Sequence, residues 1–209
     1  MKANETLSFE MHFEEENHTL SLERFYVTDD RTTFVIGSKR QRDRLFHFNP
    51  DSVILLRGSV DGNKENSIFL AISKQGAIGI AQIGETNWSL TPTTNQRGLT
   101  NANLRWHRIS GDGNPPIGVP VCGAITDNLA ALNPRSLVTN TDRIRLDLAI
   151  ETDFEYLELF KGDLVAASEY IVALYGAVAS IYERDVGLEI VVVYARLWET
   201  ADDLFACKI

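Results

Sequence analysis

Apolar residues recur along this chain with two different spacings, and the change from one to the other organises the sequence. Between residues 7 and 109 they fall in short runs rich in Val, Ile, Phe and Leu: Leu7–Phe13, Thr33–Gly37, Ser52–Ser59, Ser67–Ser73 and Ile78–Ile83. Turn-forming residues separate the runs, at Thr28-Asp29-Asp30, Asn49-Pro50-Asp51, Asp61-Gly62-Asn63 and Lys74-Gln75-Gly76. Such runs between such breaks predict strands, and without a long helical pattern among them they predict an antiparallel sandwich or meander. SVILLRGSV and SIFLAIS flank DGNKEN, which predicts a hairpin.

Residues 110–141 follow neither spacing. Ser110-Gly111-Asp112-Gly113-Asn114-Pro115-Pro116, then Gly118, Pro120 and Pro134, predict a linker, with a short helical turn at Thr126–Leu132. From Arg143 the spacing lengthens. Leu164, Ala167, Ile171, Leu174, Val178 and Ile181 recur at steps of three and four, so they line one face of a helix. Asp163 stands at its N-terminal cap and Gly187 at its stop. Strand-like runs on both sides make this a β-α-β unit with a parallel strand pair. The expected fold is α+β: a β-rich domain over residues 1–110, a linker over 111–142, and a truncated α/β portion over 143–209.

Composition narrows the classes of function. The formal charge is −9 and the isoelectric point about 4.9, which leaves no basic footprint for nucleic acid or an anionic membrane. Arg40, Arg42 and Arg44 form a short basic run, but Asp43 interrupts it. No apolar stretch reads as reaching the roughly 18 residues that span a bilayer. Met1–Glu5 leads into a polar segment rather than a signal-peptide core. Two cysteines, Cys122 and Cys207, are too few for a disulfide scaffold.

One resemblance covers most of the chain. IETDFEYLELF, GDLVAASEYIVALYGAVASIYERDVG and LEIVVVYARLWETADD resemble the first strand, first helix and second strand of bacterial reprolysin-like zinc metallopeptidases, a branch of the metzincins. Glu151-Thr152-Asp153, the stretch Ile181–Gly187, and Arg196-Leu197-Trp198 with Asp202-Asp203 carry the match. SVILLRGSVDG, SIFLAIS and AIGIAQIGETNWSL are similar to the β-rich pro-region of the same proteins. The resemblance implies an extracellular zinc-dependent endopeptidase with an inhibitory pro-region. Its chemistry would reside in HExxHxxGxxH, three histidine ligands with a glutamate base for a zinc-bound water.

That motif is not in these 209 residues. The histidines are His12, His18, His47 and His107, and none has the HExxH spacing. The expectation is a polypeptide inactive by itself and binding no zinc alone. It would be the N-terminal portion of a secreted metalloendopeptidase, with the remainder of the catalytic domain as its partner in cis or in trans. The tail Ala206-Cys207-Lys208-Ile209 leaves the family pattern after Asp203, as a split or frameshifted reading frame would. The alternative is a non-catalytic pro-region-like module that binds or inhibits a metallopeptidase in trans. A lone β-α-β would leave apolar surface and sheet edges uncovered, so residues 143–209 are expected to be poorly stable alone.

Individual residues carry less. Val119-Pro120-Val121-Cys122-Gly123 resembles the cysteine switch of metzincin pro-regions, in which a thiolate occupies the open position of the catalytic zinc. The other reading of Cys122 is a small apolar residue in a turn. Asp147 aligns with an acidic residue that some reprolysin-type domains use for structural calcium, although one carboxylate cannot supply the six or more oxygens calcium takes. His12-Phe-Glu-Glu-Glu-Asn-His18 places His12, Glu14 and Glu16 on one strand face, a metal-like grouping that a solvated acidic edge explains equally. Glu183-Arg184-Asp185 reads as a local ion pair at a helix end rather than a catalytic acid pair. Gly76, Gly79 and Gly84 do not make G-x-G-x-x-G, and no G-x-S-x-G occurs. In a fusion of this chain to a complete catalytic domain, Cys122→Ala is expected to abolish latency, measured as peptide hydrolysis. Latency equal to that of the wild type would remove the switch.

Overall fold

A computed structural model describes residues 6–13, 16–38, 41–92, 104–109 and 144–201. Its strands are β1 (Thr6–Phe13), β2 (Glu16–Phe25), β3 (Thr33–Ser38), β4 (Gln41–Phe46), β5 (Ile54–Val60), β6 (Asn63–Ser73), β7 (Gly76–Ile83), β8 (Thr86–Pro92), β9 (Leu104–Arg108), β10 (Ile144–Glu151) and β11 (Leu188–Trp198). Two helices, α1 (Phe154–Leu159) and α2 (Leu164–Val186), lie between β10 and β11. The α+β class is as expected.

Seven strands form an antiparallel sheet in the order β1-β2-β5-β6-β7-β8-β9. The predicted hairpin is β5–β6, and its turn residues Asp61 and Gly62 have φ of 55° and 67°. That pair of left-handed conformations is the type I′ geometry that matches strand twist. Strand β2 carries the period-2 signal in LSL, where Leu20 and Leu22 are fully buried and Ser21 between them is not.

This sheet curls strongly. Laid flat, its first and last strands would stand roughly 29 Å apart at 4.8 Å per step. Instead the Phe13 ring on β1 lies 4.6 Å from that of Trp106 on β9 and 5.7 Å from that of Trp88 on β8. The Trp106 indole N–H also donates to Met11 Sδ at 2.7 Å. The enclosed face holds a core that includes Leu20, Leu22, Val60, Ile68 and Leu70. Glycine permits the close approach of neighbouring strands: a Cβ on Gly58 would sit 1.8 Å from the Ser21 carbonyl oxygen.

The second sheet has the order β10-β11-β3-β4, with β10, β11 and β3 parallel and β4 antiparallel to β3. The β-α-β unit is present as expected, yet it does not stand alone. Strand β3 pairs with β11 from Thr33↔Tyr194 to Gly37↔Trp198. Val192 N–H donates to the Val27 carbonyl at 2.7 Å, and Glu199 N–H to that of Gly37 at 3.1 Å. Residues 33–37 of the front half thus belong to the same sheet as the β-α-β unit. One flank of the β-α-β is closed by a hairpin from the β-rich half, because β11 is eleven residues long and has edge hydrogen bonds to satisfy on both sides.

Helix α2 begins and ends where the sequence places it. Asp163 caps it, accepting from Val165 N–H and Ala166 N–H at 3.0 Å each, and Gly187 ends it in the left-handed conformation at φ 67°. Its burial differs from the single predicted face. Ala166, Ala173 and Gly176 are buried along with Ala167, Ile171 and Val172, whereas Leu174 is 43% exposed. The helix is packed between the two sheets, so it needs two buried sides. Small residues serve the close side: a Cβ on Gly176 would come within 3.0 Å of Leu55 and 3.1 Å of Phe69. The short helix α1, where the sequence reading placed no helix, starts because Asp153 Oδ1 accepts from Tyr156 N–H at 2.7 Å.

Helix α2 also corrects the expectation that no stretch is apolar enough to cross a membrane. An 18-residue window within it has a mean hydropathy of 1.7, which meets that criterion by length and composition. Half of the window is buried within the protein, as a helix between two sheets requires.

Gly58→Ala is expected to cost about 3 kcal/mol in urea unfolding, because a backbone oxygen cannot step aside. Gly62→Ala, with open space around it but a φ of 67°, should cost about 1 kcal/mol. Equal costs at the two positions would show that close strand approach is not what Gly58 provides.

Candidate functional site

The parallel strands β10, β11 and β3 end together, the place where open α/β sheets hold ligands. Arg196 on β11 occupies the centre. Its guanidinium donates through Nη1 to Glu151 Oε1 on β10 at 3.1 Å and through Nη2 to Asp43 on β4, and it lies 4.9 Å over the Trp198 ring. Trp198 Nε1 donates to the same Glu151 oxygen at 3.0 Å. Gly37 makes room, since a Cβ there would stand 3.0 Å from Arg196 Nε and 3.2 Å from the Trp198 ring. The Asp43 hydrogen bond raises the guanidinium above its ordinary pKa, opposed by partial burial and helped by Glu151. Alongside, Arg44 pairs with Glu199 at 2.5 Å. These charges are paired with one another, although Arg196 Nε is buried without a hydrogen-bond partner.

Asp147 lies near the opposite end of β10, in a group of two acids and two arginines. It accepts from Arg145 Nε at 2.7 Å and from Arg31 Nη2 at 3.3 Å. Asp29 Oδ2 accepts from Arg145 at 2.5 Å and from Arg31 at 3.1 Å and 3.2 Å. The resemblance made Asp147 a calcium candidate; here its carboxylate is paired with two guanidinium groups. Asp29 is held down to about 2 from an ordinary 3.8, first by Arg145, with burial opposing and Arg31 adding to it.

The described parts of the acidic stretch from His12 to His18 lie on β1 and β2, which pair antiparallel. His12 pairs with Asn17 and His18 with Met11, so the two imidazoles point to opposite faces. His12 Nδ1 is hydrogen-bonded to Asn17 Oδ1, and His18 Nδ1 meets Asp61 Oδ2 at 2.6 Å. His18 thus lies on β2 rather than in the turn, and it braces the Asp61-Gly62 hairpin. Among the described residues no group of three or more His, Cys, Asp or Glu side chains is arranged to hold a metal. Cys122 and the linker around it, with Asp202, Asp203 and Cys207, lie outside the described residues.

At the end of α2, Arg184 pairs locally with Asp185 at 2.6 Å, as its sequence suggests. Glu183 instead reaches across to Arg57 on β5, which also pairs with Glu23 at 3.0 Å and lies 4.5 Å over the Phe25 ring. No local signal marks that contact, since its partners are 126 residues apart. The residue most completely missed is Glu169. It is only 3% exposed on α2, and its Oε2 has no hydrogen-bond partner. The signal was there to find: a carboxylate at the step between Ala166 and Ala173, on a face of small apolar residues.

No protein-family model matches the chain, and no curated protein matches it at a significant level.

Asp29 is pushed down on folding, so its contribution to stability is complete above its ordinary pKa and is lost as the pH falls through about 2. Asp29→Asn should flatten the fall in urea midpoint between about pH 4 and pH 2. An unchanged slope in that range would show that the Asp29–Arg145 pair does not form in solution.

Proposed function

We propose that these 209 residues are the non-catalytic N-terminal portion of a secreted zinc metalloendopeptidase of the reprolysin-like metzincin type, comprising a pro-region and the first β-α-β of the catalytic domain. The resemblance over residues 150–203 supports this reading, and one structural observation carries it further. Among the described residues nothing pairs with the outer edge of β10, where Ile144 is 61% and Leu146 44% exposed. The other flank of the same β-α-β is closed by β3 and β4. An apolar parallel edge left open on one side is what the rest of an α/β domain would cover. Peptide-bond hydrolysis and the catalytic zinc then belong to that remainder. The four histidines here do not have the HExxH spacing, and no catalytic step is assigned to this chain.

A second reading has its own support. The curled seven-stranded sheet encloses its own core, so the front half has what a binding module needs to dock on a metallopeptidase in trans.

The two readings separate in one experiment. The chain is mixed with a purified reprolysin-type catalytic domain, either complete or lacking its own first β-α-β. The leading proposal expects the shortened domain to be bound, and Leu146→Lys to weaken that binding at least about tenfold. Binding to the complete domain alone, untouched by Leu146→Lys, would establish the inhibitory module instead. No binding to either would sink both.

A further inference from the structure

We infer that the hollow between α2 and the β6–β7 hairpin is a binding site for a small alkylammonium group, with Glu169 as its counter-ion. The hollow has a volume of about 80 Å³, several times the ~15 Å³ that one water requires. It exists because the side chains around it are short: Ala166 and Ala173 on the helix face Ala71 and Ala77 on the strands. Phe160 and Tyr170 form an aromatic wall, with ring centroids 5.6 Å apart. The mouth reaches the surface beside Gln75, which is exposed, and Tyr170, which is 43% exposed.

Into this apolar lining the helix brings one carboxyl group. Glu169 makes no hydrogen bond or ion pair among the described residues, and its Oε2 is fully buried. A packing defect alone would be lined by methyl groups, because burying a carboxylate without a partner is among the costlier things a fold can do. The missing partner is a cation of limited size. A hard metal ion fits poorly: it needs six or more oxygens, and beyond Glu169, Ser73, Gln75 and the Tyr170 hydroxyl the walls are glycine, alanine, valine, isoleucine and aromatic carbon. An alkylammonium satisfies every wall at once. Its charge pairs with Glu169, its stem lies against the alanines, and the aromatic faces of Phe160 and Tyr170 attract the cation. The chain's charge of −9 favours the approach of cations generally. Whether the group arrives as a free amine or as a lysine side chain of a peptide, the recognition chemistry is the same.

The full 209-residue chain is titrated with n-butylammonium chloride, with n-butanol and sodium chloride at matched concentrations as controls. The melting temperature and amide chemical shifts around the hollow are followed. The expected result is a saturable response to the ammonium, with n-butanol binding at least about tenfold more weakly and sodium giving no saturation. Glu169→Gln should erase the preference for ammonium over alcohol, and Ala173→Leu, which fills the hollow, should erase both responses. Titration with N-acetyl-lysine amide then separates the sources: binding points to a peptide lysine, and its absence beside butylammonium binding points to a free amine. The inference is overturned if no saturable response is seen, if alcohol and ammonium respond alike, or if Glu169→Gln keeps the preference. Should Glu169→Gln fail to fold, a butylammonium response that survives Ala173→Leu overturns it equally.

Discussion

The pairing of β3 with β11 is the constraint on which the rest of the structure depends. Those hydrogen bonds join residues 33–37 to residues 194–198, and they bring the hydrophobic face of the second sheet opposite that of the first. Between them lies α2, buried on both sides. Val192, Ala195 and Leu197 on β11 are completely buried, and Leu55 and Phe69 close the other side of the same cluster. A buried Leu, Val or Phe side chain contributes about 1.5–3 kcal/mol. That cluster is therefore the largest stabilising contribution the helix and second sheet have, and it needs residues from both halves of the chain. A β-α-β portion cut away at residue 143 would lose the strand beside it and the sheet above its helix together.

Charge follows the same geometry. Guanidinium-centred contacts tie elements far apart in sequence, among them Arg57 with Glu183, Arg145 with Asp29, Arg31 with Asp147, Arg196 with Asp43, and Arg44 with Glu199. Each joins the front half to the β-α-β unit. Partly exposed pairs of this kind add little stability singly, so their role is to fix the register in which the apolar faces meet. Glu169 is the exception, a buried acid given no such partner. It is also where the ligand reading arises, because a buried carboxyl group without a partner is costly.

Much of this was legible along the chain. The Asp61-Gly62 turn, the strands that flank it, the cap at Asp163 and the stop at Gly187 are each specified by residues within a few positions of one another. Other features were less legible for identifiable reasons. Helix α1 hides behind an apolar run that looks like a strand continuing through Phe154, and only the capping role of Asp153 distinguishes the two. The candidate site was hardest. Asp147 and His18 look like possible ligands in sequence, yet their partners, Arg31 and Asp61, come from other elements and turn both into structural contacts.

By itself, then, the sequence determined the local elements, their ends and the α+β class, because turns, caps and periodic apolar faces depend on neighbours near in the chain. The tertiary structure alone decided that β3 and β4 complete the sheet of the β-α-β, that the long sheet curls until Phe13 meets Trp106, and that α2 is buried on two sides. It alone decided, too, that Glu169 ends in a hollow rather than in solvent. The physical reason is common to all four. Strand pairing and helix packing are satisfied by any suitable apolar edge or face, so local sequence specifies the need, and only the folded arrangement specifies the partner.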